Sequence, residues 1–302
     1  MRILVTGGAG YVGSRLLPEL LRLGHDVVCY DRLDHGYQPI AMCFESTKFE
    51  LVPADIQNTM LLQRYIKQAD VIVHLAALVG YPICKEKPVE AVNINEHASH
   101  AINAIRHSYQ RVVFASTGSV YGQLNDNLTC DEDTPLNPTS IYASTKAEAE
   151  KGFLDKSNSV IFRFATGFGL SPRMRDDTLV NHFTKMAVQD HEIKLYQPHA
   201  MRSIVHVSDM VRAIIAGLED LPEGVYNCAA VNLTKLDLTK LLRAVGVSYT
   251  LEVVEDQTDP ECRDYKTRCD RLEQAGHHVS SVNVKAVIDG LARYYYAAPS
   301  EL

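Results

Sequence analysis

Tyr142 and Lys146 stand four residues apart in the run Ile141-Tyr142-Ala143-Ser144-Thr145-Lys146, a spacing that sets both side chains on one face of a helix. A phenol is a poor base at neutral pH, its pKa being about 10. An ammonium about 4 Å away, at an effective dielectric of about 20, favours the phenolate by about 4 kcal/mol, or roughly three pKa units. The pair therefore predicts a group that takes and returns a proton near neutrality. Hydroxyls lie close to it in kind. Ser116-Thr117-Gly118-Ser119 ends an apolar run, and Thr117 is the expected third group, donating to the substrate oxygen that Tyr142 deprotonates. Ser116 is its nearest competitor, and capping a turn is the other role open to Thr117.

A second constellation is built for phosphate. Thr6-Gly7-Gly8-Ala9-Gly10-Tyr11-Val12-Gly13 follows the first apolar run and opens the first helical pattern. Gly7, Gly10 and Gly13 fit G-x-x-G-x-x-G, in which glycines permit a tight turn, close approach of backbone to a pyrophosphate, and close packing of helix on strand. The free N–H groups of the helix start then face the phosphate charge. Asp31 closes the second run, where a carboxylate accepts from an adenosine ribose and repels a 2′-phosphate, so NAD is expected rather than NADP. Arg32 beside it pulls the other way. Asp55 and Ile56 follow the third run, where an adenine edge would lie.

The elements that must position these groups are legible as alternating patterns. Arg2–Thr6, Asp26–Tyr30, Phe49–Val52, Asp70–His74, Arg111–Ala115 and Ser159–Phe162 are short Val- and Ile-rich runs. Stretches with three- and four-residue apolar spacing, such as Val12–Leu23 and Ala91–Ile105, lie between them. Such alternation predicts an α/β fold, a Rossmann-type doubly wound parallel sheet covered by its crossover helices on both faces. After Phe164 the rhythm breaks into shorter elements and polar loops (Leu170–Asp177, Asp256–Lys266). The expected division is residues 1–163 for cofactor and catalysis and 164–302 mainly for substrate, as a smaller part closing over the sheet edge. With 302 residues, 46% of them hydrophobic, and a net charge of −7, the chain reads as globular, with neither nucleic acid nor an anionic membrane as its partner. Seven scattered cysteines without a C-x-x-C predict reduced thiols. No signal peptide or membrane span is expected, which points to the cytoplasm.

Five motifs together resemble one family: TGGAGYVG at Thr6–Gly13, HLAA at His74–Ala77, ASTGSVYG at Ala115–Gly122, YASTK at Tyr142–Lys146, and RSIVHVSD at Arg202–Asp209. The chain is similar over nearly its whole length to the extended short-chain dehydrogenase/reductases, in their nucleotide-sugar epimerase/dehydratase branch. The resemblance implies a homodimer formed through helices and a nucleotide-sugar substrate. By position it implies that Leu75, Ala76 and Ala77 line NAD, that Asn95 supports the active-site backbone, and that Lys146 also holds the nicotinamide ribose. It implies further that Arg202 and Arg263 meet the substrate diphosphate, and that Asn181 lies against the sugar nucleotide.

Departures from the pattern narrow the chemistry. Gly118 and Ser119 stand where similar 4,6-dehydratases carry Asp and Glu, so loss of water is disfavoured. Thr166 replaces a common Asn and Phe168 a common Tyr. The expected activity is epimerisation by transient oxidation of a sugar hydroxyl at C4. Net dehydrogenation or ketone reduction is the alternative enzyme, and a non-catalytic dinucleotide sensor the alternative of another class. His97, His100 and His107 read as surface or interface residues, no metal is expected, and Asp131-Glu132-Asp133 reads as a solvated loop.

Overall fold

The computed structural model describes residues 1–124, 129–255, 263–279 and 282–298. Each of the six apolar runs is a strand: β1 (Arg2–Thr6), β2 (Asp26–Asp31), β3 (Phe49–Pro53), β4 (Val71–His74), β5 (Arg111–Thr117) and β6 (Ser159–Phe164). They pair in parallel, and the order β6-β5-β4-β1-β2-β3 reverses direction between β1 and β4. Crevices at such a reversal, at the carboxyl ends of the strands, are where open α/β sheets bind ligands.

Side chains alternate across each strand and both faces are covered. Ile3, Val5, Val27, Val73 and Phe162 pack on one side with Leu16, Leu17 and Leu20 of α1 (Gly13–Arg22). Leu4, Val28, Ile72, Phe114 and Ile161 pack on the other with α2 (Thr59–Ile66), α3 (Ala98–Ile105) and α4 (Ile141–Leu154), through Leu62, Ile66, Ile102 and Phe153. Fully burying a side chain of this size contributes about 1.5–3 kcal/mol, so the two layers hold the sheet rigid beneath the site.

Beyond Phe164 the chain steps straight into a second sheet. Its strands are β7 (Thr166–Phe168), β8 (Met201–His206) and an antiparallel partner, Val231–Thr234. Its own core, including Phe168, Ile193, Ile204, Leu238 and Leu291, is covered by helices α5 (Leu179–Lys185), Lys235–Ala244 and Val284–Ala297. The chain also returns to the first sheet. Helix α6 (Val207–Glu219) covers the α1 side, and Gly224–Cys228, here β9, pairs in parallel with β6 as a seventh strand. Among the described residues no helix is long and apolar enough to cross a membrane, and six cysteines are buried free thiols. Cys262 and Asp256–Asp259 lie outside the described residues.

Candidate active site

The glycine-rich loop is shaped by close approach. Gly7 has φ +72°, and a Cβ there would meet the Ala76 backbone nitrogen at 2.6 Å; one at Gly13 would meet the Gly8 backbone at 2.4 Å. Gly10 differs, because its Cβ would meet only the Gly7 carbonyl at 3.2 Å, leaving that face open to a ligand. Asp31, at the end of β2, accepts from the Ala9 N–H (2.9 Å) and the Leu33 N–H (2.7 Å). These two bonds hold its carboxylate at the mouth of the glycine loop. Arg32 is drawn off by three carboxylates, Asp34 (2.5 Å), Glu90 (2.8 Å) and Asp55 (3.3 Å), so it is not poised for a ribose phosphate. Asp55 further accepts from the Gln57 N–H (2.8 Å), and Ile56 is buried. The residues present fit a dinucleotide cradle.

The cradle's far wall follows β4. Leu75 N–H donates to the Thr6 carbonyl (3.0 Å) and Ala76 N–H to Thr6 Oγ1 (3.4 Å), with Ala77 next, partly buried. Asn95 is 1% exposed and grips this wall with both ends of its amide. Its Oδ1 accepts from the Leu78 N–H (2.8 Å), and its Nδ2 donates to the Leu78 carbonyl (3.0 Å) and Thr145 Oγ1 (3.3 Å). Thr145 lies between Tyr142 and Lys146, so one side chain ties this wall to the helix that carries both.

Helix α4 starts at a Ser140 cap whose Oγ accepts from the Ala143 N–H (3.1 Å). This puts Tyr142 in the first turn, 9% exposed, beside Leu78, Ile83 and Cys84. Lys146 is 2% exposed, with its Nζ 4.1 Å from the centre of the Phe114 ring. Burial pushes its pKa down to about 7, against the attraction of Glu150 and Cys84. The ammonium expected from the sequence is therefore only marginally charged at neutral pH. Its neighbour His74 is pushed down to about 3, by burial first and Lys146 second. Ser99 Oγ donates to the Asn95 carbonyl (2.6 Å), so it accepts from His74 Nε2 (2.9 Å), and His74 Nδ1 then accepts from Thr6 Oγ1 (2.7 Å). The hydroxyl chain requires a neutral imidazole protonated at Nε2.

The two hydroxyls at the end of β5 point opposite ways. Ser116 Oγ donates to Glu150, whose carboxylate also accepts from Arg163 Nη2 (2.9 Å) and Nε (3.1 Å); all three residues are buried. Ser116 is thereby removed as a reacting hydroxyl. Thr117 Oγ1 accepts from the Ser119 N–H (3.1 Å) and caps the turn Gly118–Tyr121, a bond that uses a lone pair and leaves the proton to donate. Both roles weighed for Thr117 are compatible. The Glu150–Arg163 pair escaped the sequence reading, although Glu150 falls four residues beyond Lys146, the spacing that had already linked Tyr142 to Lys146. Glu132 is a correction. It is not solvated but 7% exposed, its carboxylate accepting from the Asn227 N–H (2.9 Å) and its carbonyl from Arg163.

On the substrate side, Arg202 is buried on β8 and donates to the carbonyls of Met201 (2.8 Å) and Arg263. The two expected arginines are thus neighbours. Tyr265, two residues on, donates to the Gly118 carbonyl beside Thr117. Asn181 behaves differently from expectation. It is fully buried, its Oδ1 accepting from the Gly169 N–H (3.0 Å) and its Nδ2 donating to the Arg175 carbonyl (2.9 Å). Its amide shapes the segment Gly169–Arg175 rather than presenting itself to a sugar. That segment brings in Arg175, which sequence reasoning missed. Held by Asp177 through two 2.6 Å bonds, it lies within electrostatic reach of Tyr142 and Tyr11. Among the described residues no three His, Cys, Asp or Glu side chains gather as a metal site.

The chain is similar to several known proteins. A model of the NAD dependent epimerase/dehydratase family matches residues 3–229. The low-salt glycan biosynthesis protein Agl12 of Haloferax volcanii is 31% identical over 278 residues, 87% of this chain and 89% of that protein. The uncharacterized UDP-glucose epimerase YtcB of Bacillus subtilis is 33% identical over 240 residues, 72% of each chain. DesIV of Streptomyces venezuelae, a dTDP-glucose 4,6-dehydratase solved with NAD and TYD bound, superposes with a TM-score of 0.87 at 25% identity, covering 98% of this chain and 97% of that one. The UDP-glucuronic acid 4-epimerase of Bacillus cereus, solved with UDP-glucuronic acid and NAD, shares the fold at a TM-score of 0.86 and 23% identity, over 98% and 99% of the two chains.

Proposed function

The chain belongs to the NAD-dependent epimerase/dehydratase family of nucleotide-sugar enzymes, and from that premise we propose that it is a nucleotide-sugar 4-epimerase. The observation that carries this reading is the end of β5. A turn-capping Thr117 keeps a proton to donate, at the end of the strand on which the helix of buried Tyr142 and Lys146 packs through Lys146 on Phe114 and Glu150 on Ser116, and Gly118 and Ser119 provide no carboxylates for removing water. Tyr142 Oη takes the proton from the sugar C4 hydroxyl while Thr117 Oγ1 donates to the same oxygen. Lys146, when charged, favours the phenolate and holds the nicotinamide ribose. Bound NAD supplies the site at which hydride is accepted and given back. The ketone turns over within the site, and Tyr142 then returns its proton to the oxygen as hydride is received on the other face of C4, giving the epimer.

Gly7, Gly10, Tyr11, Val12, Gly13, Asp31, Asp55, Ile56, Leu75, Ala76, Ala77 and Asn95 form the cofactor side of this reading. Arg202 and Arg263 form the diphosphate side, with Asn181 acting through the Gly169–Arg175 backbone. Residues 1–163 carry cofactor and catalysis, and residues 164–302 mainly substrate, in a homodimer joined through helices. The test supplies UDP-, dTDP- and GDP-sugars to the purified protein, resolves products by NMR and follows absorbance of the reduced cofactor. Interconversion of two C4 epimers without accumulation of NADH is expected. Stoichiometric NADH with a keto-sugar would make it a dehydrogenase, and no turnover of any sugar would leave a dinucleotide sensor.

A further inference from the structure

The segment from Gly169 to Arg173 is a strap laid by the C-terminal part across the glycine-rich loop. Tyr11 Oη donates to the Gly169 carbonyl (2.8 Å), Arg15 Nη1 to the Leu170 carbonyl (2.9 Å), and Ser171 Oγ to the Tyr11 carbonyl (2.6 Å). Arg173 N–H donates to Ser14 Oγ (3.3 Å). From this anchor on the first turn of α1 the Arg173 side chain reaches the loop after Asp31, where its Nη2 donates to His35 Nε2 (2.9 Å).

Arg173 is an arginine in an unfavourable place. It is partly buried and makes no ion pair among the described residues, although the chain holds 37 acidic residues against 30 basic ones. The nearby Arg175, by contrast, is paired with Asp177. Burial first, and the Arg175 charge second, push its pKa down against the weaker attraction of Asp177 and Asp176, and His35 is pushed down likewise by burial and by Arg173 against Asp34 and Asp31. A cation left like this is relieved by an anion, and the adjoining crevice is the one that fits a dinucleotide.

We propose that Arg173, steadied by His35, is a clamp that closes on the pyrophosphate of the bound cofactor from the C-terminal side of the molecule. The inference rests on the cofactor reading of the same loop and adds a residue from outside the 1–163 part to it. A phosphate on the adenosine ribose offers the same chemistry, but there the Asp31 carboxylate stands as a like charge.

Isothermal titration of the full-length protein distinguishes the sources, with NAD⁺, ADP, adenosine and adenosine 2′,5′-bisphosphate as probes. Arg173→Gln should weaken NAD⁺ and ADP at least tenfold and leave adenosine unchanged, and Arg173→Lys, which keeps the charge, should recover part of the loss. Equal NAD⁺ and ADP affinities in wild type and Arg173→Gln would overturn the clamp. So would adenosine weakening in step, which locates the effect in the fold, or a loss confined to the 2′,5′-bisphosphate, which moves the clamp to the ribose. A wild type that binds no NAD⁺ rejects the cofactor reading itself, a result the variants do not mimic.

Discussion

At the scale of residues, Tyr142 and Lys146 differ in what the fold asks of them. Tyr142 is mostly ring, and its phenol oxygen adds little to packing at a helix start. Tyr142→Phe should therefore keep the melting temperature and NAD⁺ affinity while turnover falls about 10²–10⁴-fold, the usual contribution of a positioned acid–base group. Near-wild-type kcat would remove Tyr142 from the chemistry. Lys146 is kept against the interest of stability. Its folded pKa of about 7 lies below the ordinary 10.5, so between those values the unfolded chain binds more protons and stability rises with pH. Below about pH 7 both states are charged and the whole burial penalty is felt. Lys146→Met should thus inactivate the enzyme yet make the cofactor-free protein more stable, by a few kcal/mol at about 1.4 kcal/mol per pKa unit. That gain should be largest below pH 7 and fade toward pH 10.5. Urea unfolding at pH 6.5 and pH 9.5 measures it, and a gain independent of pH would place its origin elsewhere than in the ammonium.

At the scale of elements, the site is set by how α4 meets the sheet. Ser116 and Arg163 are register partners on β5 and β6, and Glu150 of α4 lands on both. A single carboxylate thereby fixes the helix that carries Tyr142 and Lys146 against the strand that carries Thr117. Removing one member of a buried ion pair leaves the other charge unmatched, which costs about 3–5 kcal/mol. Glu150→Gln should lower the unfolding free energy by about that amount, read from a shifted urea midpoint, and should lower kcat more than it weakens NAD⁺, because the glycine loop is untouched. A loss below about 1 kcal/mol would mean that Gln satisfies Arg163 and Ser116 as well as Glu does.

At the scale of the whole molecule, the two parts are interleaved. β9 and α6, both beyond residue 206, complete the first sheet: β9 covers the β6 edge, and α6 packs so closely that a Cβ at Gly217 would meet the Phe162 ring at 2.9 Å. A fragment of residues 1–163 would expose that edge and the apolar face that α6 covers. It should show no cooperative thermal transition by circular dichroism, whereas the full chain melts in one. A sharp melt of the fragment would mean that the cofactor half folds alone.

What the sequence determined by itself was everything that chain periodicity encodes. Six Val- and Ile-rich runs became six parallel strands, because a parallel strand buried on both faces must be apolar throughout and each crossover must be a helix. The glycines at 7 and 13 were legible because only glycine admits the backbone contacts found there, and a spacing of four placed Tyr142 and Lys146 on one helix face. Tertiary structure decided which polar groups meet across long separations. Glu150 joining Ser116 and Arg163, Glu132 buried on Asn227, Asn181 turned inward to Gly169, and Arg173 carried over α1 to His35 have no local signature. Gly224–Cys228 likewise reads as one more short strand until β6 accepts it. In each case one side chain or strand had many possible partners along the chain. The choice was made by burial, which leaves a polar group the partner that folding puts within reach.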